Sequence, residues 1–138
     1  MDVSAGYSIE QPDVLVPWCI KESELLALLP SSPRHVTTGY YTLPCESLGG
    51  LRHDIGFHFE PRSNGRLREF ELFRRSYPDL DQSFREFQRH LELTLGPPTT
   101  TVEGDAAFPH VTWRLGSVEV VHYVLDRFGP EEHVRFRG

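Results

Sequence analysis

The sequence predicts an α+β fold: a two-layer sandwich in which two helices cover one face of an antiparallel sheet of about five to six strands, in the order α-β-β-β-α-β-β-β. Three observations lead there. Ile55, Phe57 and Phe59 alternate with Asp54, Gly56, His58 and Glu60, the period of a half-buried strand. Leu80, Phe84, Phe87, Leu91 and Leu95 recur at helical spacing between Asp79 and Gly96. The turn pairs Asn64-Gly65 and Gly116-Ser117 each sit between apolar runs, and strands joined by tight turns are antiparallel. At 138 residues the chain has the length of one domain and buries a core without a metal or disulfide staple. Residues 1–138 are therefore read as a single globular domain, with 1–17 an irregular lead-in that contains a short strand at Val14–Val16.

Taken in order, Lys21–Leu29 is expected to be a helix, with Leu25, Leu26, Leu28 and Leu29 as its apolar side and Pro30 as its stop. Gly39–Leu43 reads as a short strand that Pro44 interrupts. With Asn64-Gly65 as a two-residue type I′ turn, Phe59 faces Phe70, Phe57 faces Leu72, and His58 lies across from Glu71. Asp79 is a good N-cap, and Gln82 is placed to complete a capping box. Gly96 and Pro97-Pro98 end that helix near Leu95. Residues 99–109 are expected to be a loop. Val111–Leu115 and Val118–Leu125 then form a hairpin with Trp113 opposite Val120 and Arg114 opposite Glu119. A loop over Asp126–Glu132 leads to a last strand at His133–Arg137.

Hydrophobic residues make up 38% and charged residues 25%, which excludes a disordered chain. No apolar run is long enough for a transmembrane helix. The start, Met1-Asp2-Val3-Ser4-Ala5-Gly6, has no secretory character, so a cytoplasmic location is expected. The net charge of −6 opposes direct nucleic-acid binding, which relies on Lys and Arg at phosphates, and suits a basic partner. The acidic surplus lies toward the two ends, while 34–78 is rich in Arg. Cys19 and Cys45 match no zinc or redox spacing and are expected to be free thiols.

The seven histidines do not show the ligand spacing of a metal site, and neither a metal nor a cofactor is expected. His53 and His58 are five apart, which in a strand puts them on opposite faces. His58 with Glu71 is the best local acid–base pair. His122, Asp126, Arg127, Glu131, Glu132 and His133 form a polar cluster near the chain's end. No nucleophile elbow, phosphate loop or Gly-rich dinucleotide motif occurs, so the chain is not read as an enzyme. An enzyme would show a deep pocket near His58, Glu71 or His122. Among the aromatics, Trp18, Tyr40, Tyr41, Phe73, Tyr77 and Tyr123 lack a place in the expected core. Phe73 and Tyr123 fall on the sheet face opposite the helices, where aromatic, Arg and carboxylate side chains together make an interface.

Phe128-Gly129-Pro130-Glu131-Glu132 and Leu95-Gly96-Pro97-Pro98 are the kind of punctuation seen in bacterial immunity proteins, which bind and block secreted antibacterial toxins. In size, acidity and lack of a catalytic motif the whole chain resembles that class. The resemblance is one of overall profile and assigns no functional residue. It implies stoichiometric inhibition of a cognate toxin, a basic protein such as a nuclease, because complementary charge speeds encounter and selects the partner. The partner-binding residues expected from the surface pattern are Glu69, Glu71, Phe73, Glu119, Tyr123, Asp126, Glu131 and Glu132. The competing expectation is a small secretion chaperone or adaptor that binds an effector without inhibiting it.

Overall fold

A computed structural model describes residues 1–59, 65–75 and 79–138. Among these it contains ten strands and two α-helices, and the molecule is mostly β. A hairpin comes first, β1 (Gly6–Ile9) and β2 (Val14–Pro17), followed by α1 (Glu22–Leu28). Then come β3 (Arg34–Thr37), β4 (Tyr40–Ser47), β5 (Leu51–Phe59), β6 (Leu67–Phe73) and α2 (Leu80–Leu95). The chain closes with β7 (Thr100–Glu103), a 3-10 turn at Asp105–Ala107, β8 (Pro109–Leu115), β9 (Val118–Asp126) and β10 (Pro130–Arg137). The eight strands after the hairpin form one sheet in the order β3-β4-β5-β6-β10-β9-β8-β7. Every neighbouring pair in it is antiparallel.

This corrects the expected two-layer α+β sandwich of five to six strands, and each missed strand has a physical reason. β3 and β7 are the sheet's edges and all their residues are exposed, so they carry no burial alternation to read. β7 and the 3-10 turn occupy the stretch expected to be a loop. Pro44 does not interrupt β4. The β3 pairing ends at Arg34–Thr42, so Pro44 lies where β4 has β5 alone as neighbour, an edge position that tolerates a missing N–H. β10 starts at Pro130, earlier than expected, which reduces the Asp126–Glu132 loop to a short turn. The lead-in is not irregular: Tyr7, Ile9 and Val16 of the β1–β2 hairpin are fully buried.

That hairpin shares with the helices the task of covering the sheet. The Tyr7 ring lies 4.8 Å from Phe70 and 5.0 Å from Phe136 at the centre of the sheet's inner face. Trp18 stacks on Phe70 at 5.4 Å and donates Nε1–H to the Val3 carbonyl. Phe87 and Leu91 of α2 and Leu25 of α1 complete the same core with Ile55, Phe57, Trp113, Val120 and Val134. Leu26 and Leu28, expected on the apolar side of α1, are instead exposed.

α2 has the predicted boundaries. Asp79 accepts from the backbone N–H of Asp81 and Gln82, the bond that makes Asp a favoured N-cap. The capping box does not form, because the Gln82 side chain turns to Glu86. Gly96 ends the helix at φ 86°, a left-handed value suited to glycine. The β8–β9 register is the predicted one. The β5–β6 register differs by two residues: Phe57 faces Phe70, Ile55 faces Leu72, and His58 faces Glu69. A slip of two keeps every side chain on its expected face. Asn64 of the expected turn, and Tyr77, lie outside the described residues.

Candidate functional site

Strand alternation sends Phe57, Phe70, Phe136, Val120 and Trp113 inward and leaves the opposite, outer face of the eight-stranded sheet to a different set of side chains. Backbone register aligns these into rows that cross the strands. One row is charged and runs Tyr40, His58, Glu69, Arg137, Glu119, Arg114. Beside it runs Thr42, Gly56, Glu71, Arg135, Val121, Thr112. A further row is aromatic. The Tyr123 ring is stacked between His133 at 5.0 Å and His110 at 4.9 Å, with interplanar angles of 17° and 7°. Phe73 occupies β6 on the same face, half-buried.

Three carboxylates of this face, Glu69, Glu71 and Glu119, are already matched to neighbouring side chains. Glu69 pairs with Arg135 at 3.3 Å and Arg137 at 3.4 Å, and Glu119 with Arg114 at 3.4 Å. The Glu71 carboxylate lies 3.4 Å from His58 Nε2 and accepts the Tyr40 hydroxyl proton at 2.8 Å. Tyr40 reaches from β4 across β5 because Gly56 has no side chain: a Cβ there would lie 2.8 Å from the Tyr40 hydroxyl. His58 stacks on Tyr40 at 4.4 Å. Burial alone would raise the Glu71 carboxyl, but the hydrogen bonds from His58 and Tyr40 outweigh it and hold its pKa below the usual carboxylate value. Tyr40 is pushed up by burial and by the neighbouring carboxylate. His133 is lowered, first by burial and then by the Arg135 guanidinium.

Of the eight residues expected to bind a partner, six share the outer face: Glu69, Glu71 and Phe73 on β6, Glu119 and Tyr123 on β9, and Glu131 on β10. Two do not. Asp126 is exposed at the end of β9, where its backbone N–H bonds Asp105. Glu132 points inward and is a correction to the expected site. Its side chain is 4% exposed, with one oxygen 2.6 Å from His122 Nε2 and the other accepting from the Ser83 hydroxyl at 2.6 Å. His122 is fully buried, stacked on Phe84 at 3.8 Å, with Nδ1 on the Gln88 amide. Burial lowers its pKa. The polar cluster at the chain's end is thus split between the two sides of β9 and β10.

Sequence reasoning set Tyr40 apart from the core without placing it beside Glu71, and missed Arg135, His110 and the orientation of His133. Gly56 inside an apolar strand was the available signal, since such a glycine marks a close approach by a neighbour.

A second histidine network is interior. The Tyr7 hydroxyl lies 2.5 Å from Ser47 Oγ, which is 2.6 Å from His53 Nε2, while His53 Nδ1 meets the Asp54 carbonyl at 2.9 Å. The Ser–His contact has nucleophile-like geometry. Ser47 and Tyr7 have no exposed surface, and His53 lies behind a cleft lined by Cys45, Asp54, Arg74 and Arg75. Burial lowers the His53 pKa. His53 faces inward and His58 outward, as their spacing predicts. Cys45 is half-buried, its thiol pushed up to about 12 by burial; Cys19 is exposed, and both are free. Among the described residues no three His, Cys, Asp or Glu side chains are grouped to hold a metal ion, and no helix is long and apolar enough to cross a membrane.

No protein-family model matches the chain, and no curated protein matches it. Among solved structures it is similar to a DUF4309 family protein (YjgB) from Bacillus subtilis subsp. subtilis str. 168. The identity is 14%, over 86% of this chain and 78% of that one, with a TM-score of 0.45. A likeness at that level carries no argument about function.

Proposed function

We propose that this protein is a non-catalytic binding protein that docks a protein partner on the outer face of its eight-stranded sheet, and that the partner is a basic antibacterial toxin neutralised by one-to-one capping. The observation that carries the reading is the half-buried row His110, Tyr123, His133 beside Arg135. Tyr and Arg are the residues that dominate binding energy when a second surface seals them from water. The acidic overall charge supports a basic partner through faster encounter. Glu69 and Glu119 are already held by arginines, so the carboxylates free to steer are the exposed ones, Glu131 and Asp126. The anchor and the steering charges are therefore different residues.

Co-expression with the product of the adjacent gene tests the reading. The neighbour is expected to arrest growth alone and to be harmless with this protein present. Tyr123→Ala is expected to remove protection by speeding dissociation, at a cost of about 2 kcal/mol or more. Glu131→Lys is expected to slow association. A neighbour that is harmless alone, or that kills equally well in the presence of this protein, overturns the proposal. A neighbour made soluble but not inhibited identifies a chaperone instead.

A further inference from the structure

The geometry points to a second copy of this chain as the occupant of the sheet's open edges, with β7 of one molecule pairing beside β3 of the next. β3 and β7 are the two ends of the strand order, and all four residues of each are exposed. Neither strand contains proline or an inward-facing lysine, so the guards of these edges are their four-residue length and the bulge at Val36 of β3, which limit the pairing without closing it.

The topology makes the two edges fit. The sheet has eight strands, each antiparallel to its neighbours, so its first and last strands run in opposite directions. A copy displaced along the sheet therefore brings β7 against β3 antiparallel, with the outer face of one molecule continuing the outer face of the other. The side chains fit in the same arrangement. Val36 and Val102 are two of the few exposed large hydrophobic residues, at 48% and 59%. Val102 pairs with His110 on the outer side, and Val36 alternates with His35, whose ring stacks on inward-facing Tyr41. The register that sets Val36 against Val102 pairs His35 with Glu103 and ends at Val36, because β3 bulges there and Thr37 lies opposite outward-facing Tyr40 whereas Thr101 faces inward with Val111. It also brings Arg34 toward Gly104 and Asp105. The β3 edge is basic and the β7 edge acidic, so each attracts the other and repels itself.

Such a contact is head-to-tail and does not close on itself. Three residues a side, Arg34 to Val36 against Val102 to Gly104, make a small interface of the weak class, so assembly depends on concentration and on salt. The β7 edge borders the His110 end of the face proposed to bind a toxin, and the two proposals are told apart by their readouts: the mass of this chain alone tests the pairing, and protection against the toxin tests the other.

Sedimentation of the full chain over a concentration series up to about 1 mM tests this. The weight-average mass is expected to rise with concentration and to fall on adding salt. Val36→Lys blocks the β3 edge and Val102→Lys the β7 edge, and each variant alone is expected to stay at the single-chain mass. An equimolar mixture of the two is expected to form a species of twice that mass and nothing larger, because one open edge remains on each. Val36→Glu with Val102→Glu gives a second such pair, and circular dichroism confirms that each variant is folded. A wild-type protein at the single-chain mass throughout overturns the inference. So does a mixture that does not pair, or a single variant that dimerises alone.

Discussion

Glu131 and Glu132 are adjacent in sequence and opposite in environment, and alanine at each measures that difference. Glu132 accepts from Ser83 Oγ and contacts His122 Nε2, both at 2.6 Å, and neither partner has exposed surface. Glu132→Ala leaves two buried polar groups without a partner, each worth about 1–3 kcal/mol, for a total of about 3–5 kcal/mol as for other broken buried pairs. Glu131 is 72% exposed and 3.9 Å from His133, so its removal is expected to cost about 0.5 kcal/mol or less. In urea, where a domain of this size has a slope of about 1–3 kcal/mol per M, the Glu132 variant loses about 2 M in midpoint and the Glu131 variant almost none. Glu132→Gln keeps an acceptor and is expected to recover most of the loss. Midpoints for the two alanine variants within about 0.3 M of each other would refute the inward orientation of Glu132 and with it the parity assigned to β10.

Stability is expected to fall as pH drops below about 6.5. His53 and His122 are both lowered by burial, so below that pH the unfolded chain takes up protons that the folded chain refuses, at about 1.4 kcal/mol per pH unit for each histidine; melts at a series of pH values, with His122→Gln flattening the slope, check it. Gly56→Ala is expected to displace Tyr40 from Glu71 and His58, at a cost of about 1–2 kcal/mol, and carboxyl titration by NMR should show the Glu71 pKa rising as it loses a hydrogen bond. A disulfide reagent at mild alkaline pH is expected to label Cys19 quickly and Cys45, whose thiol is held at about 12, only after denaturant is added; two equally fast thiols would contradict the burial of Cys45.

How far the sequence revealed the fold depended on where each constraint lay. α2 was legible because an Asp cap, an amphipathic stripe and a glycine stop agree with one another. The β8–β9 register was legible because Gly116-Ser117 is itself the turn and leaves no freedom. The β5–β6 strands end at Phe59 and begin at Leu67, so the two-residue turn was the wrong anchor and the register moved by two. The apolar face survived that error because the period of a strand is also two. His58 lost Glu71 as its opposite residue yet stayed 3.4 Å from it on the diagonal. β1, β3 and β7 were not legible for a common reason. Each is only four residues long and lacks an apolar run like the one that marked β2 at Val14–Val16, and the two edge strands bury nothing that would impose a pattern.

The candidate site was partly legible by face and not by arrangement. Strand parity placed Phe73 and Tyr123 opposite the helices, which required only local alternation. His110, Tyr123 and His133 come from three strands, and their stack exists only because β8, β9 and β10 are in phase. A one-residue slip of β9 would bury Tyr123 and expose His122, exchanging a stacked surface ring for the buried partner of Glu132. The interior network and the outer row are therefore two consequences of one register. The His122–Glu132 contact fixes β9 against β10 from the inner side, and the same pairing sets Tyr123 against His133 on the outer side. A substitution that loosens the buried pair is expected to disorder the stack before it unfolds the sheet, so the binding proposed for Tyr123 would be lost through a carboxylate that lies on the other side of the sheet.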